Sequence, residues 1–439
     1  MAATGMSFLG VSDASGRRAL GGVGAELFRR LERLGAAFPD RFDSQLASVT
    51  SADPLALQQM LLTMLLEASV QVLLHTFCVE PLLEHGRVRG VLLANKAGLE
   101  TALATVLVDA TGDADVAARA GAQFVVGRCP DRLMQPVTRI FRVGDVDVPA
   151  LFAYLREHPE EMSLPDRWQG GADYAGDILS APAVVMDAFP ALVAEARAAG
   201  EWTVPRDRIG IETSPVPGTV TINASRVHHV DGTDPDALSR AEVETQRQTF
   251  EIIQFLRRRV PGFRNARLVG AAHGIGVRET RHVLGAYVLT LDDVLAGRSF
   301  PDTVARGAYP VDLHDLAPGT QVLGEAVAGG GVTLRRIERA YGIPLRCLIP
   351  TGVPGMLVAG RAISATHEAA GSVRGQAVCM ATGHAAGTIA ALASRQALSP
   401  DQVDVGAAQD LLQTQGAILF YPDDEPARPA KAEERSERG

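Results

Sequence analysis

The chain has 439 residues, 46% hydrophobic and 21% charged, with a net charge of −9. That length can bury a large core, and the balance lacks the basic surplus that nucleic acid or an anionic membrane attracts. No apolar run approaches the ~18 residues that cross a bilayer, and no charged stretch followed by an apolar core opens the sequence, so the expected setting is cytoplasmic. The cysteines Cys78, Cys129, Cys347 and Cys379 lie far apart and form no CxxC. No metal site, iron–sulfur cluster or redox dithiol is therefore expected.

In chain order, residues 1–20 carry no strand pattern, and Gly5, Gly10 and Gly16 punctuate a polar loop. Gly21–Leu34 keeps apolar residues at helical spacing and stops at Gly35. Asp53-Pro54 is an N-cap and first-turn pair for a second helix reaching Glu67 or Ala68. Short strand runs follow at Val70–Val79, Pro81–Glu84, Arg87–Asn95 and Thr105–Asp109, with turns at His85-Gly86 and Lys96-Ala97-Gly98. The last run ends in Asp109-Ala110-Thr111-Gly112-Asp113, where a glycine after a buried strand lets backbone approach a ligand.

Residues 129–350 change character, with helices alternating with short strands. Asp234-Pro235 opens a helix to about Arg259, stopped by Pro261-Gly262. In Ile275–Arg281, charges alternate beside an apolar run, and Arg278 with Glu279 reads either as a structural ion pair or as part of a site. In Tyr309–His314, Asp312 and His314 are two apart and face one side of a strand. An aspartate orienting a histidine is a common general-base arrangement, and a solvated loop is the alternative.

Pro354–Ser394 organises the rest. Met356–Ala359 reads as a buried strand of a parallel sheet. Gly360–Gly371 is a glycine- and alanine-rich loop holding Arg361, Ser364, Thr366, His367 and Glu368. Ser372 or Thr366 caps a long helix over Val373–Ala393, in which Gly383 and Gly387 let other backbone or a flat ligand come close. A strand, a glycine loop and a helix N-terminus favour an electron-rich ligand, with a plain packed strand–helix unit as the alternative. Pro400 starts a last helix through Leu412, and the charged tail after Pro422 is expected to be disordered.

The segments VAGRAISATHEAAGSVR and CMATGHAAGTIAAL resemble the C-terminal FAD-binding segment of the FAD-dependent oxidoreductases. These are relatives of the heterodisulfide reductase A subunit and, more distantly, of fumarate reductase flavoproteins. The resemblance implies an α/β fold with a glutathione-reductase-like, three-layer FAD/NAD(P)-binding domain and an inserted α+β substrate or cap domain. Residues 1–128 and 351–398 would form the two parts of the first, 129–350 the second, and 399–439 a C-terminal helix and tail. It implies FAD contacts for Gly360, Arg361, Ser364, Gly371, Ser372, Arg374 and Met380, with Gly112 and Asp113 near the pyrophosphate. The implied reaction is hydride transfer between a small-molecule substrate and flavin N5. Arg361 and Ser372 would stabilise the reduced flavin, Asp312, His314 or His367 would move the substrate proton, and Arg278 would hold a substrate carboxylate.

One expected part has no counterpart. A dinucleotide fold begins with a strand, GxGxxG and a helix. Gly22-Val23-Gly24 has Leu27 where the third glycine belongs, Gly274-Ile275-Gly276 has Glu279, and Gly329-Gly330-Gly331 is a loop signal. The expectation is that Met1 is not the native start. The alternatives are a flavin-free accessory subunit, or one chain of a split flavoenzyme whose partner supplies the segment. A homo-oligomer or a partner subunit is compatible with either.

Overall fold

A single pair of parallel strands ties distant parts of the chain together in the computed structural model, which describes residues 5–43, 46–162, 178–316 and 331–424. Leu107–Asp109 and Met356–Val358 run side by side in the register Met356↔Leu107 to Val358↔Asp109. They are the only parallel strand pair among the described residues. All three residues of Met356–Val358 are buried, which is why the run shows no alternation. Because the strands are parallel, both following loops leave at the same end.

The helix after the second strand is not continuous. His367–Val373 and Gln376–Gln396 are separate helices, with Gly375 extended between them. The reason is contact: a Cβ on Gly375 would sit 2.4 Å from Cγ of Tyr309. Thr366, not Ser372, caps the first helix by accepting the N–H of Ala369 at 3.3 Å. Gln376–Gln396 is long and apolar enough to cross a bilayer, at a mean hydropathy of 1.3, contrary to the sequence expectation. It packs against Thr303–Gly307, Gly22–Arg33 and Val405–Thr414, with Ala385, Ala386, Ile389 and Ala393 wholly buried.

At the N-terminal end, Phe8–Leu9 forms a short strand on Ala47–Thr50, where none was expected. Packing fixes it, since the Phe8 ring meets Phe28 edge-on at 4.8 Å. The helices Gly22–Arg33 and Pro54–Glu67 fall where predicted, and Asp53 caps the second by accepting from Leu55 N. Residues 70–76 hold no strand. The strand run instead forms an antiparallel meander of Phe77–Glu84, Arg87–Asn95 and Gly98–Leu103.

A second core lies under a five-stranded antiparallel sheet in the order Val185–Ala188, Ile209–Thr213, Val220–Asn223, Phe141–Gly144, Arg267–Ala271. The helix Pro235–Arg259 contributes Ile252, Ile253, Phe255 and Leu256 to its apolar cluster. Asp234 caps this helix through Asp236 N, and the strand Val311–His314 pairs with Val332–Arg335. The last helix is a 3-10 turn at Pro400–Gln402 followed by Val405–Thr414, capped by Asp404. Gly329, Gly330 and the tail from 425 lie outside the described residues.

Candidate functional site

The loops that leave the two parallel strands are clamped to each other. Gly112 and Gly360 both have left-handed backbone, at φ +85 and +82. Arg361 reaches from the second loop to Asp113 in the first, Nη2 to Oδ1 at 2.7 Å. A Cβ on Gly112 would lie 2.3 Å from Nη1 of Arg361, so the arginine needs a glycine there. Thr280 Oγ1 donates to Asp113 Oδ1 at 2.6 Å and Arg281 Nη1 to its carbonyl at 2.9 Å. The segment Arg278–Arg281 is thereby tied to the same place.

This end of the strands leaves open space beside backbone. A Cβ on Gly360 would meet only Sγ of Cys379, at 3.9 Å, and one on Gly383 or Gly387 would meet nothing within 4 Å. Nε of Arg361 is buried without a hydrogen-bond partner, so a donor remains for an acceptor from outside the chain. Open backbone at the carboxyl ends of parallel strands is where dinucleotide folds bind their ligands.

Behind the loops lies a buried charged cluster. Asp312 and His314 share one side of their strand, and His314 Nε2 stands 3.3 Å from Asp312 Oδ1. Arg226 Nη2 lies 3.0 Å from the other ring nitrogen, Nδ1. An arginine only donates, so Nδ1 accepts and Nε2 carries the hydrogen toward Asp312. Burial, then the nearby Arg278, hold the His314 pKa well below its usual range. The ring is neutral, with both nitrogens engaged. Burial raises the Asp312 pKa, but His314 and Arg374 outweigh it and keep the carboxylate ionised. Arg374 Nη2 donates to Asp312 Oδ2 at 2.8 Å, and Tyr309 Oη donates to the same oxygen at 2.9 Å.

Glu279 does not pair with its neighbour Arg278. It turns to two histidines, meeting His367 Nδ1 at 2.7 Å and His282 Nε2 at 3.1 Å. Burial alone would raise its pKa, but hydrogen bonds from His282 and His367 lower it to about 2. The ionised carboxylate accepts from Nδ1 of His367, so Nε2 is left as the acceptor. No partner for that nitrogen exists among the described residues, although His367 is only 8% exposed. A carboxylate holding one imidazole nitrogen and leaving the other free is an arrangement able to move a proton.

Other predicted residues are placed differently. Ser364 is fully buried, and its hydroxyl accepts the N–H of Gly285 at 3.0 Å. Ser372 is also buried, engaged with Tyr341 Oη at 2.8 Å and donating to the carbonyl of Tyr309. A Cβ on Gly371 would sit 3.0 Å from Leu313, so this glycine serves helix-on-strand packing. Met380 is half-buried against the N-terminal helices. Sequence reading missed the Glu279–His367 pair, whose members are 88 residues apart. The spacing of Glu279 and His282 was the one local sign.

Comparison with known proteins adds the following. The family model described as FAD dependent oxidoreductase matches residues 1–412. No curated protein is significantly similar to the chain. A myxobacterial FAD-dependent halogenase, CndH, is 13% identical over 88% of this chain and 65% of its own, with a TM-score of 0.39. A geranylgeranyl bacteriochlorophyll reductase-like protein from Thermoplasma acidophilum is 10% identical over 85% of this chain and 62% of its own, with a TM-score of 0.39. The chain thus spans about 65% and 62% of these two structures. An L-proline dehydrogenase from P. horikoshii is 11% identical over 94% of this chain and 77% of its own, with a TM-score of 0.31.

Proposed function

Since the chain belongs to the FAD-dependent oxidoreductase family, we propose that it oxidises or reduces a small-molecule substrate, with His367 as the group that moves the substrate proton. The observation that carries this reading is the Glu279–His367 pair with its free Nε2, set in the helix that directly follows the Gly360 loop. Gly112, Gly360, Arg361 and the open helix face at Gly383 and Gly387 would hold FAD. When bound, FAD supplies a hydride acceptor or donor at N5. Glu279 orients His367 by holding its Nδ1. Asp312 and His314 hold Arg374 and Arg226 in place, and in this reading they shape the site without taking the proton. Arg361 adds positive charge beside the loops, which favours an anionic reduced cofactor.

The test is anaerobic single-turnover reduction with a turned-over substrate. His367→Asn should slow reduction by about 10²–10⁴, the range for a positioned acid or base, while FAD occupancy stays as in the wild type. An unchanged rate removes His367 from the reading.

One observation favours a further feature. Among the described residues, Leu107–Asp109 has a strand neighbour on one side only. Elsewhere, Leu55, Leu61, Leu65 and Leu66 of the helix Pro54–Glu67 are 40–64% exposed. An open strand edge and an exposed apolar helix face each invite a covering element. In this reading a strand–glycine loop–helix segment, in the same polypeptide or in a partner chain, completes the dinucleotide half. Supplying such a segment should raise FAD affinity and melting temperature together, and no gain in either rejects it.

A further inference from the structure

The strand Arg267–Ala271 ends the five-stranded sheet. It pairs with Phe141–Gly144 on one side and has no strand on the other among the described residues. Four of its five residues are exposed, so the outer row of backbone N–H and C=O groups is left for water or a partner. Beside this edge an open groove of about 590 Å³ runs against the helix Pro235–Arg259. Arg257, Arg258, Arg264 and Arg267 line it, and Phe250 and Leu268 supply apolar surface. Phe250 is 58% exposed and Leu268 41%.

No carboxylate lines the groove among the described residues. Arg267 is met by Asp145, Nε to Oδ2 at 2.5 Å, and Arg258 donates to the neutral Gln254 at 2.8 Å. Glu201, which the Arg258 charge also reaches, is bonded to Arg259 at 3.0 Å. Arg257 and Arg264 make no hydrogen bond or ion pair among the described residues. Four guanidinium groups against the one carboxylate of Asp145 leave a surplus of three positive charges, on a chain whose net charge is −9. A second copy of this chain fits the edge poorly. Two-fold pairing would bring the two basic grooves side by side, and like charges there oppose it.

We infer that this face docks an acidic, extended segment of another protein, added as a strand to Arg267–Ala271. The segment's backbone completes the open edge, its carboxylates meet Arg257, Arg258 and Arg264, and an apolar side chain rests on Phe250 and Leu268. Main-chain pairing supplies affinity in this mode of recognition, and the side chains beside the edge supply specificity. Arginine and aromatic side chains are also the types enriched where proteins meet. The bulge between Leu268 and Gly270 keeps the added strand short. The inference goes beyond the flavoenzyme reading and stands without it.

Fluorescence anisotropy with the full chain tests it. The probe is a dye-labelled peptide of alternating glutamate and valine, about seven residues long. A glutamine–valine peptide lacks the charge, and a glutamate–proline peptide keeps the charge but loses the N–H groups that pair with an edge. The glutamate–valine peptide should bind saturably, and more weakly as salt is added. Both controls should bind about tenfold more weakly. Arg257→Glu combined with Arg264→Glu should melt as the wild type does, since both side chains are exposed and unpaired. The same variant should weaken peptide binding about tenfold. No saturable binding, equal binding of either control, or unchanged affinity in the doubly reversed variant overturns the inference. A dimer that sedimentation velocity finds in the wild type and not in this variant would assign the face to a second copy and overturn it too. So would pelleting with phosphatidylserine vesicles that the variant loses, which would assign the face to a membrane.

Discussion

Replacing Glu212 by glutamine should remove a pH-dependent weakness in the fold. Glu212 lies on the strand Ile209–Thr213 and is 3% exposed. Its carboxylate accepts the backbone N–H of Ser7, and no cation pairs with it among the described residues. Burial, with a smaller contribution from Asp187, raises its pKa from 4.5 to about 7. The folded chain therefore binds this proton more tightly than the unfolded chain. The stability this confers is fully present below pH 4.5 and is lost as the pH rises through 7. A shift from 4.5 to 7 corresponds to about 3 kcal/mol. Glutamine keeps the acceptor for Ser7 and cannot ionise. Urea denaturation at pH 5 and pH 8 reads the effect. Glu212→Gln should match the wild type within about 1 kcal/mol at pH 5 and exceed it by about 3 kcal/mol at pH 8. Parallel stability profiles for the two proteins across this range would refute the reasoning.

Glu279 titrates in the opposite sense. Its folded pKa of about 2 means that its contribution is present above pH 4.5 and is lost as the pH falls toward 2. Glu279→Gln should therefore cost about 3 kcal/mol at pH 7 and flatten the acid limb of the urea profile. Gly112→Ala meets both a left-handed φ and the Arg361 guanidinium, and should cost about 1–3 kcal/mol. In a double-mutant cycle, Arg361→Ala should restore the part due to the clash, and full additivity would deny it. Thr366→Ala removes a helix cap and should lower stability by about 1 kcal/mol in chemical denaturation.

What could be read in the sequence was what is decided locally. Met356–Val358 showed itself as an apolar run between Gly355 and Gly360, and the parallel partner Leu107–Asp109 was marked by the glycine after it. Asp53, Asp234 and Thr366 were legible as caps because the donor they satisfy lies two or three residues away. The break at Gly375 was not, since its cause is the Tyr309 ring 66 residues earlier. The strand Phe8–Leu9 has two residues and no pattern of its own, and only Ala47–Thr50 and Phe28 define it.

The candidate site divides along the same line. Asp312 and His314 were legible as a pair because a strand puts alternate residues on one side. The Arg226 that occupies the other nitrogen of His314 lies 88 residues away, so the engaged state of that ring was not. Glu279 looked like a partner for Arg278 because they are adjacent, yet neighbours on an extended chain point apart. The separation of Glu279 from His367 hid an imidazole that Glu279 holds by Nδ1 and whose Nε2 is free.

Titration of FAD into the purified chain, followed by flavin absorbance and fluorescence, tests the central claim most directly. A saturable spectral change is predicted in the wild type. It should be lost in Gly360→Val, whose side chain fills the open space beside Cys379. A flavin spectrum that stays that of free FAD, or a change that survives Gly360→Val unaltered, would contradict the account.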